Sequence, residues 1–328
     1  MKNIDRLKKW GAVSVLALSL AGAFTPAQAA TWQLRGSIVT HDPSVWKEGA
    51  TWWIFETSNT GMGVKFSPDG HAWKQGTSLY PGGLSWWTQY TNAAQPKMVW
   101  APDIHVWNGK AILYYAVSSF GSHKSAIGLS TATSIVKGDW VDHGSPVLSS
   151  AATTLSPTDT SAPPNAIDPN FVVDPSGQPW LAYGSWFGGL FITKVDRNTL
   201  MPYGAVTKIA ADSRGIENSF IMSRNGYFYL FASKGTCCEQ DGSRNTYHIV
   251  YGRSTSITGP YYDKANRQLL YGGGTTIDSG SGGRFVTAGG ESIHNGVMVS
   301  HQLDSQQNYL GILFIKDLRF DASNWPTY

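Results

Sequence analysis

The chain has 328 residues, of which only 14% are charged, while Gly (36), Trp (14), Tyr (15) and Phe (13) are abundant. This profile excludes a disordered chain, which would be charged and poor in aromatics, and a coiled coil built from Ala, Glu, Lys and Leu. It favours an all-β protein with Gly turns and aromatic-filled strands.

Residues 1–29 read as a secretory leader. Lys2, Arg6, Lys8 and Lys9 make a basic start, residues 11–24 are an apolar run, and Ala27-Gln28-Ala29 offers the small residues of a cleavage site. The apolar run is too short for a comfortable membrane span. An exported protein is expected, with the same leader serving the periplasm or the medium. The leader holds four of the 25 basic residues and one of the 22 acids, leaving 21 of each in the mature chain. A net charge of zero gives no support to nucleic acid, anionic membrane or polyanion as partner, and favours a neutral ligand.

Beyond the leader, short alternating or aromatic runs recur at residues 51–55, 111–115, 179–183 and 227–231. Each follows a unit of the same plan: an acid, a short apolar strand, a Gly turn, a second strand. Those units begin at residues 41, 101, 167 and 216, and a weaker fifth begins at 290. Their acids are Asp42, Asp103, Asp168, Glu217 and Glu291, separated by 61, 65, 49 and 74 residues. A unit of roughly 40–50 residues with four strands marks a propeller blade, lengthened by insertions between strands. Five units predict a five-bladed β-propeller over residues 30–328, as one domain. An acid at one point of each unit would then face a common axis, bringing residues 175 positions apart into one pocket. Residues 149–165, rich in Ser, Thr, Ala and Pro, read as a long exposed loop. The adjacent Cys237-Cys238 cannot build a disulfide framework or a paired zinc site; a vicinal disulfide and two reduced thiols are both allowed.

Converging acids have three uses. They can bond the backbones of neighbouring blades, ligate Ca²⁺, or form the carboxylate pair of glycoside hydrolysis. Aromatic abundance turns the set toward sugar, whose apolar faces stack on rings.

Several motifs narrow this. His41-Asp42-Pro43, Trp100-Ala101-Pro102-Asp103, the run 118–122 with Ser125-Ala126-Ile127-Gly128, Asn165-Ala166-Ile167-Asp168 and the run 254–260 occur in this order, followed by Gly272-Gly273-Gly274-Thr275 and Asn324-Trp325-Pro326. Together they resemble the secreted endo-α-1,5-L-arabinanases of glycoside hydrolase family 43. The resemblance covers nearly all of the mature chain. It implies a five-bladed propeller that hydrolyses internal α-1,5 links of arabinan, a neutral polymer, with inversion. Asp42 would be the general base, Glu217 the general acid, and Asp168 the group that holds the acid's pKa high. Inversion places Asp42 and Glu217 roughly 6.5–9.5 Å apart.

The resemblance also implies sugar contacts at Trp100, Phe120, Gly121, Asn165, Ile167, Ser185, Trp186 and Phe187. Arabinan or its oligosaccharides would be the partner, and the protein a monomer. Two stretches depart from the family pattern. Thr287-Ala288-Gly289-Gly290 replaces a motif ending in an axial His that helps hold a metal ion. Glu291 or His301 could stand in for it, so a structural Ca²⁺ on the axis is an open expectation and no cofactor is required. Around the acid, Ile216-Glu217-Asn218-Ser219 replaces Glu-Gly-Pro or Glu-Ala-Pro. The rival functions are an exo-acting arabinofuranosidase or β-xylosidase of the same fold, and a non-catalytic sugar-binding propeller.

Overall fold

In the computed structural model, residues 31–152, 154–238 and 244–328 are described, so the expected leader lies outside the described residues. Gly turns and β-rich runs fold into five mainly antiparallel sheets in chain order, each a blade, followed by a two-stranded pair of Arg319–Phe320 and Pro326–Thr327. The innermost strands are Ser44–Glu48, Trp100–Trp107, Asn170–Val173, Ile216–Arg224 and Phe285–His294. Each packs against the next, and the fifth against the first, which closes the ring of a five-bladed β-propeller. The second strands are Thr51–Glu56, Lys110–Val117, Pro179–Tyr183, Tyr227–Lys234 and Val297–Asp304. Lys110–Val117 is buried from Ala111 onward, as a strand covered by blades on both faces must be.

Apolar side chains fill the five gaps between blades. Between blades 1 and 2 lie Phe55, Trp87, Leu113 and Tyr115; between 2 and 3, Tyr114, Ile127, Phe171 and Leu181. Ile192, Ile216 and Leu230 join 3 to 4, and Phe220, Phe231 and Met298 join 4 to 5. Val45, Ile54, Trp73, Val299 and Leu313 join 5 back to 1. Burying each such side chain contributes about 1.5–3 kcal/mol, so stability is shared among the gaps.

Polar bonds repeat that ring nearer the axis. Ser44 Oγ accepts from Ile104 N (3.0 Å), Asp103 Oδ2 from Phe171 N (2.6 Å) and Asn170 Oδ1 from Ile221 N (2.8 Å). Asn218 Nδ2 donates to Glu291 O (3.1 Å), and Val45 N to Ser292 Oγ (3.3 Å). Every blade is thereby tied to the next. Asp103 belongs to this set, which corrects the expectation that all five acids converge: its carboxylate spans the gap between blades 2 and 3, where it also accepts from Asn170 Nδ2.

Blade 5 has only three strands of its own, ending with Leu310–Asp317. The segment ahead of blade 1 covers its open edge. Trp32 N donates to Ile315 O, Leu313 N to Ile38 O and Thr40 N to Gly311 O, while Arg35–Gly36 pairs with Ala72–Gln75 of blade 1. The stretch 149–165 also differs from a plain exposed loop. Leu148–Ser150 pairs with Ser125–Ala132, and Ala162 and Asn165 return to buried positions.

Candidate active site

Asp42 and Asp168 each sit two residues before an innermost strand, with a Pro between, and both adopt left-handed backbone, φ 45° and 53°. Few residues besides Gly enter that region, Asp and Asn most readily, and such backbone clusters at functional sites. Glu217 is the second residue of its strand, and a register shift between Glu217 and Phe220 interrupts the ladder there. Bulges of this kind re-aim a side chain.

The structure brings the three acids together. Asp168 is buried, and its carboxyl is pushed well above the ordinary range by burial, then by the charges of Glu217 and Asp42. Its Oδ2 accepts from Asn218 N at 3.1 Å. Burial also raises Glu217, with the charge of Asp42 adding to it, while the hydroxyls of Ser185 and Tyr247 act in the other direction. Ser185 Oγ donates to Glu217 Oε2 at 2.8 Å. Asp42 has a different environment: Thr57 Oγ1 donates to its Oδ2 at 2.7 Å, and the same Thr57 oxygen accepts from Ala101 N at 2.9 Å. Two carboxyls held toward the protonated form therefore share the site with a third whose Oδ2 accepts a hydroxyl hydrogen bond. Neighbouring carboxyls in unlike surroundings are the arrangement from which acid–base pairs are built.

Glu291 joins them from blade 5. It is buried and pushed up to about 8, chiefly by burial, while Ser233 Oγ donates to its Oε2 (2.6 Å) and its Oε1 has no hydrogen-bond partner among the described residues. Four of the five repeat acids thus lie within one another's electrostatic influence.

Histidines flank Asp42. His41 Nε2 is 3.6 Å from Asp42 Oδ2, and Asp42 N donates to His301 Nδ1 at 3.2 Å. The His41 and His301 rings stack at 4.2 Å, and Tyr247 stacks on the far side of His301 at 5.9 Å. Burial and the neighbouring His41 hold His301 well below the usual histidine range, so it is neutral. Cys237 and Cys238 form a disulfide beside this pair.

His41, Asp42 and His301 are the axial groups that could hold a cation, their ligand atoms lying within 4.8 Å of one another. Two imidazoles and one carboxylate do not match the cage of six to eight oxygens that Ca²⁺ takes. Gly290 adds no ligand: a Cβ there would lie 2.7 Å from Asp42 Oδ1 and 2.8 Å from His301 Nδ1, so those groups fill the space. Among the described residues the donor set does not fit Ca²⁺.

The expected sugar-contact residues fall into two groups. Phe120 is 80% exposed on the rim, followed by Gly121 in open space. Trp100 begins the innermost strand of blade 2, and its indole N–H has no hydrogen-bond partner among the described residues. The Trp186 ring lies against Gly215, where a Cβ would meet it at 2.5 Å, so glycine is what lets the indole reach its place beside the strand of Glu217. The others are buried. Asn165 Nδ2 donates to Ser185 O at 3.4 Å, Ile167 O accepts from Gly184 N, and Phe187 packs on His123 at 4.8 Å. They set the position of Ser185, which bonds Glu217.

Thr57, Tyr247 and Ser233 belong to the site without having been expected there. One signal was available. A hydroxyl recurs at the end of the second strand of each of the first four blades, as Thr57, Ser118, Ser185 and Ser233. No comparable pattern marks Tyr247.

A β-propeller with converging carboxyls in unlike surroundings is the kind of site that acid–base cleavage of a glycosidic bond requires. Comparison agrees. The profile of Glycosyl hydrolases family 43 matches residues 36–326, and the chain belongs to that family of glycosidases. It is 41% identical, over the whole of both chains, to an extracellular endo-α-(1→5)-L-arabinanase of Bacillus subtilis. It is 33% identical to an extracellular exo-α-(1→5)-L-arabinofuranosidase of Cellvibrio japonicus, over 87% of this chain and 85% of that one. A solved endo-arabinanase of Bacillus licheniformis superposes with a TM-score of 0.83 at 43% identity, covering 90% of this chain and all of the other.

Proposed function

We propose that this chain is a secreted, inverting endo-arabinanase: a leader at residues 1–29, then a single propeller domain that cleaves internal α-1,5-L-arabinofuranosidic bonds. The observation that carries the reading is the unlike setting of the converging carboxyls. Glu217, raised by burial, holds a proton and gives it to the leaving glycosidic oxygen. Asp42, its Oδ2 occupied by Thr57, uses its other oxygen to take a proton from water as that water attacks the anomeric carbon. One proton enters with the leaving group and one departs from water, so the pair ends with its charges exchanged. Asp168 is a positioning residue. It accepts from the backbone N–H beside Glu217, and its own charge, if present, opposes ionisation of the acid. The exposed Phe120 ring would receive a sugar face, and the Trp100 N–H, without a partner among the described residues, a hydroxyl. Endo-action is supported by the identity to endo-arabinanases, 41% and 43%, against 33% for the exo-acting relative.

The test is reducing-end release with product sizing on debranched linear arabinan. Wild type should give a ladder of oligosaccharides, and Glu217→Ala should lose about 10²–10⁴ of the rate. Arabinose as the sole early product would move the answer to exo-action. Binding without release would leave a sugar-binding propeller.

A further inference from the structure

The vicinal cysteines stand where the hydrolytic reading gives them no task, yet both sulfurs face imidazoles of the site. Cys238 Sγ is 3.4 Å from His41 Nε2, and Cys237 Sγ is 3.9 Å from His301 Nε2. The ligand atoms of His41, Cys237 and Cys238 all fall within 4.8 Å of one another. Because Asp42 N donates to His301 Nδ1, the remaining ring nitrogen of His301 is the one turned to the sulfurs. Two sulfurs and the His41 nitrogen therefore surround one small volume, with His301 Nε2 beside it at the Cys237 sulfur.

We propose that reduction of Cys237–Cys238 creates a site for a thiophilic divalent cation such as Zn²⁺, ligated by both thiolates and His41, with His301 Nε2 in reach as the fourth ligand, and that its occupation shuts off hydrolysis. The chemistry of the donors selects the ion, because S₂N₂ sets bind Zn²⁺ tetrahedrally. The geometry agrees. Zn–S bonds of about 2.3 Å and Zn–N bonds of about 2.0–2.1 Å put tetrahedral S···N contacts near 3.5 Å. The two S···N distances, taken with the disulfide formed, bracket that value, and reduction frees the sulfurs to separate to the roughly 3.8 Å that two ligands of one tetrahedral ion require. In the oxidised protein the sulfurs are bonded to each other and offer no thiolate; a thiol or phosphine reductant supplies two electrons, and two protons make the dithiol. Metal binding then releases both protons as two S–metal bonds form. Cys237 is half-buried and Cys238 exposed, so reductant and ion can reach them.

The consequence for hydrolysis rests on the reading of Asp42 as base. His41 Nε2 is 3.6 Å from Asp42 Oδ2, so a cation held on that nitrogen lies over the carboxylate and the water it activates.

Co²⁺ is the probe that separates the two parts. Native protein treated with a phosphine should yield two titratable thiols, then bind one Co²⁺ with thiolate-to-metal absorption in the near ultraviolet. Oxidised protein and Cys238→Ser should show no such band. With Zn²⁺ at micromolar concentration, the reduced wild type should lose at least tenfold in arabinan cleavage and recover on chelation. Oxidised wild type and Cys238→Ser should keep their rates. A reduced protein without the cobalt band, the same band in Cys238→Ser, or failure to yield two thiols while folded would each overturn the site. The band without inhibition would overturn the shut-off. Absence of arabinan cleavage in every form would fault the hydrolytic reading and leave the cobalt result standing.

Discussion

Glu291 shows what a buried carboxyl does at single-residue scale. Its pKa is pushed up to about 8, chiefly by burial, with the charge of Asp42 adding to the effect. A folded pKa above the unfolded value means that the native state keeps a proton the unfolded chain gives up, so stability falls as pH rises from about 4.5 toward 8. By pH 8 this one group accounts for about 4 kcal/mol of lost stability, as an upper figure. Glu291→Gln removes the titration while keeping an oxygen for Ser233. Denaturant midpoints at pH 5 and pH 8 should therefore differ less in the variant than in wild type; equal differences would show that Glu291 is ionised in the native state throughout. The recurrence of an acid ahead of each apolar strand pointed to five residues, and only the family resemblance singled out Asp42, Asp168 and Glu217 among them. Tyr247 was not legible. In a chain with 15 tyrosines nothing local distinguishes the one whose hydroxyl reaches an acid.

Among elements, the strand that carries Asp103 holds the one repeat acid that leaves the set. Register shifts occur beside Asp103, Glu217 and Glu291 alike, so counting from the motif cannot tell which acid joins the others. The Asp103 carboxylate turns to Phe171 N and Asn170 Nδ2 across the blade gap. Hydrogen bonds to a charged group contribute about 1.5–3 kcal/mol, and an orphaned buried N–H costs about 1–3. Asp103→Ala should lower unfolding stability by about 2–4 kcal/mol, read from a denaturant titration, with arabinan cleavage per folded molecule within a few-fold of wild type. A thousandfold loss of rate in folded protein would instead place Asp103 in the chemistry. Gly turns and aromatic runs announced the strands, since φ above zero and half-buried pleated surfaces select those residues. Bulges leave no such mark, because they are settled by what the neighbouring blade presents.

The whole molecule is a ring, and a ring must be closed by something. The repeat count foretold five blades but not the closure, which joins residues 31–40 to residues 311–317 across most of the chain length. No local pattern encodes a pairing between segments so far apart. Its loop-closure entropy is met by backbone bonds along the open edge of blade 5 and by Trp32, whose indole N–H donates to Asp317 Oδ1 at 2.9 Å and whose ring meets Trp52 edge-on at 5.6 Å. The same segment pairs with blade 1, so it bridges the first blade to the last. His301, which accepts from Asp42 N, lies on the second strand of blade 5, while Asp42 directly follows the bridging segment. Site geometry therefore depends on closure. Trp32 is only half-buried, so Trp32→Ala should cost about 1–3 kcal/mol if the ring unfolds as one unit, with a single transition displaced to lower denaturant. Removal of residues 31–40 should go further, exposing the edge of Leu310–Asp317 and abolishing hydrolysis even where four blades remain folded, as followed by far-ultraviolet circular dichroism. A deletion variant with native midpoint and native rate would mean that the apolar packing between blades 5 and 1 closes the ring without the segment.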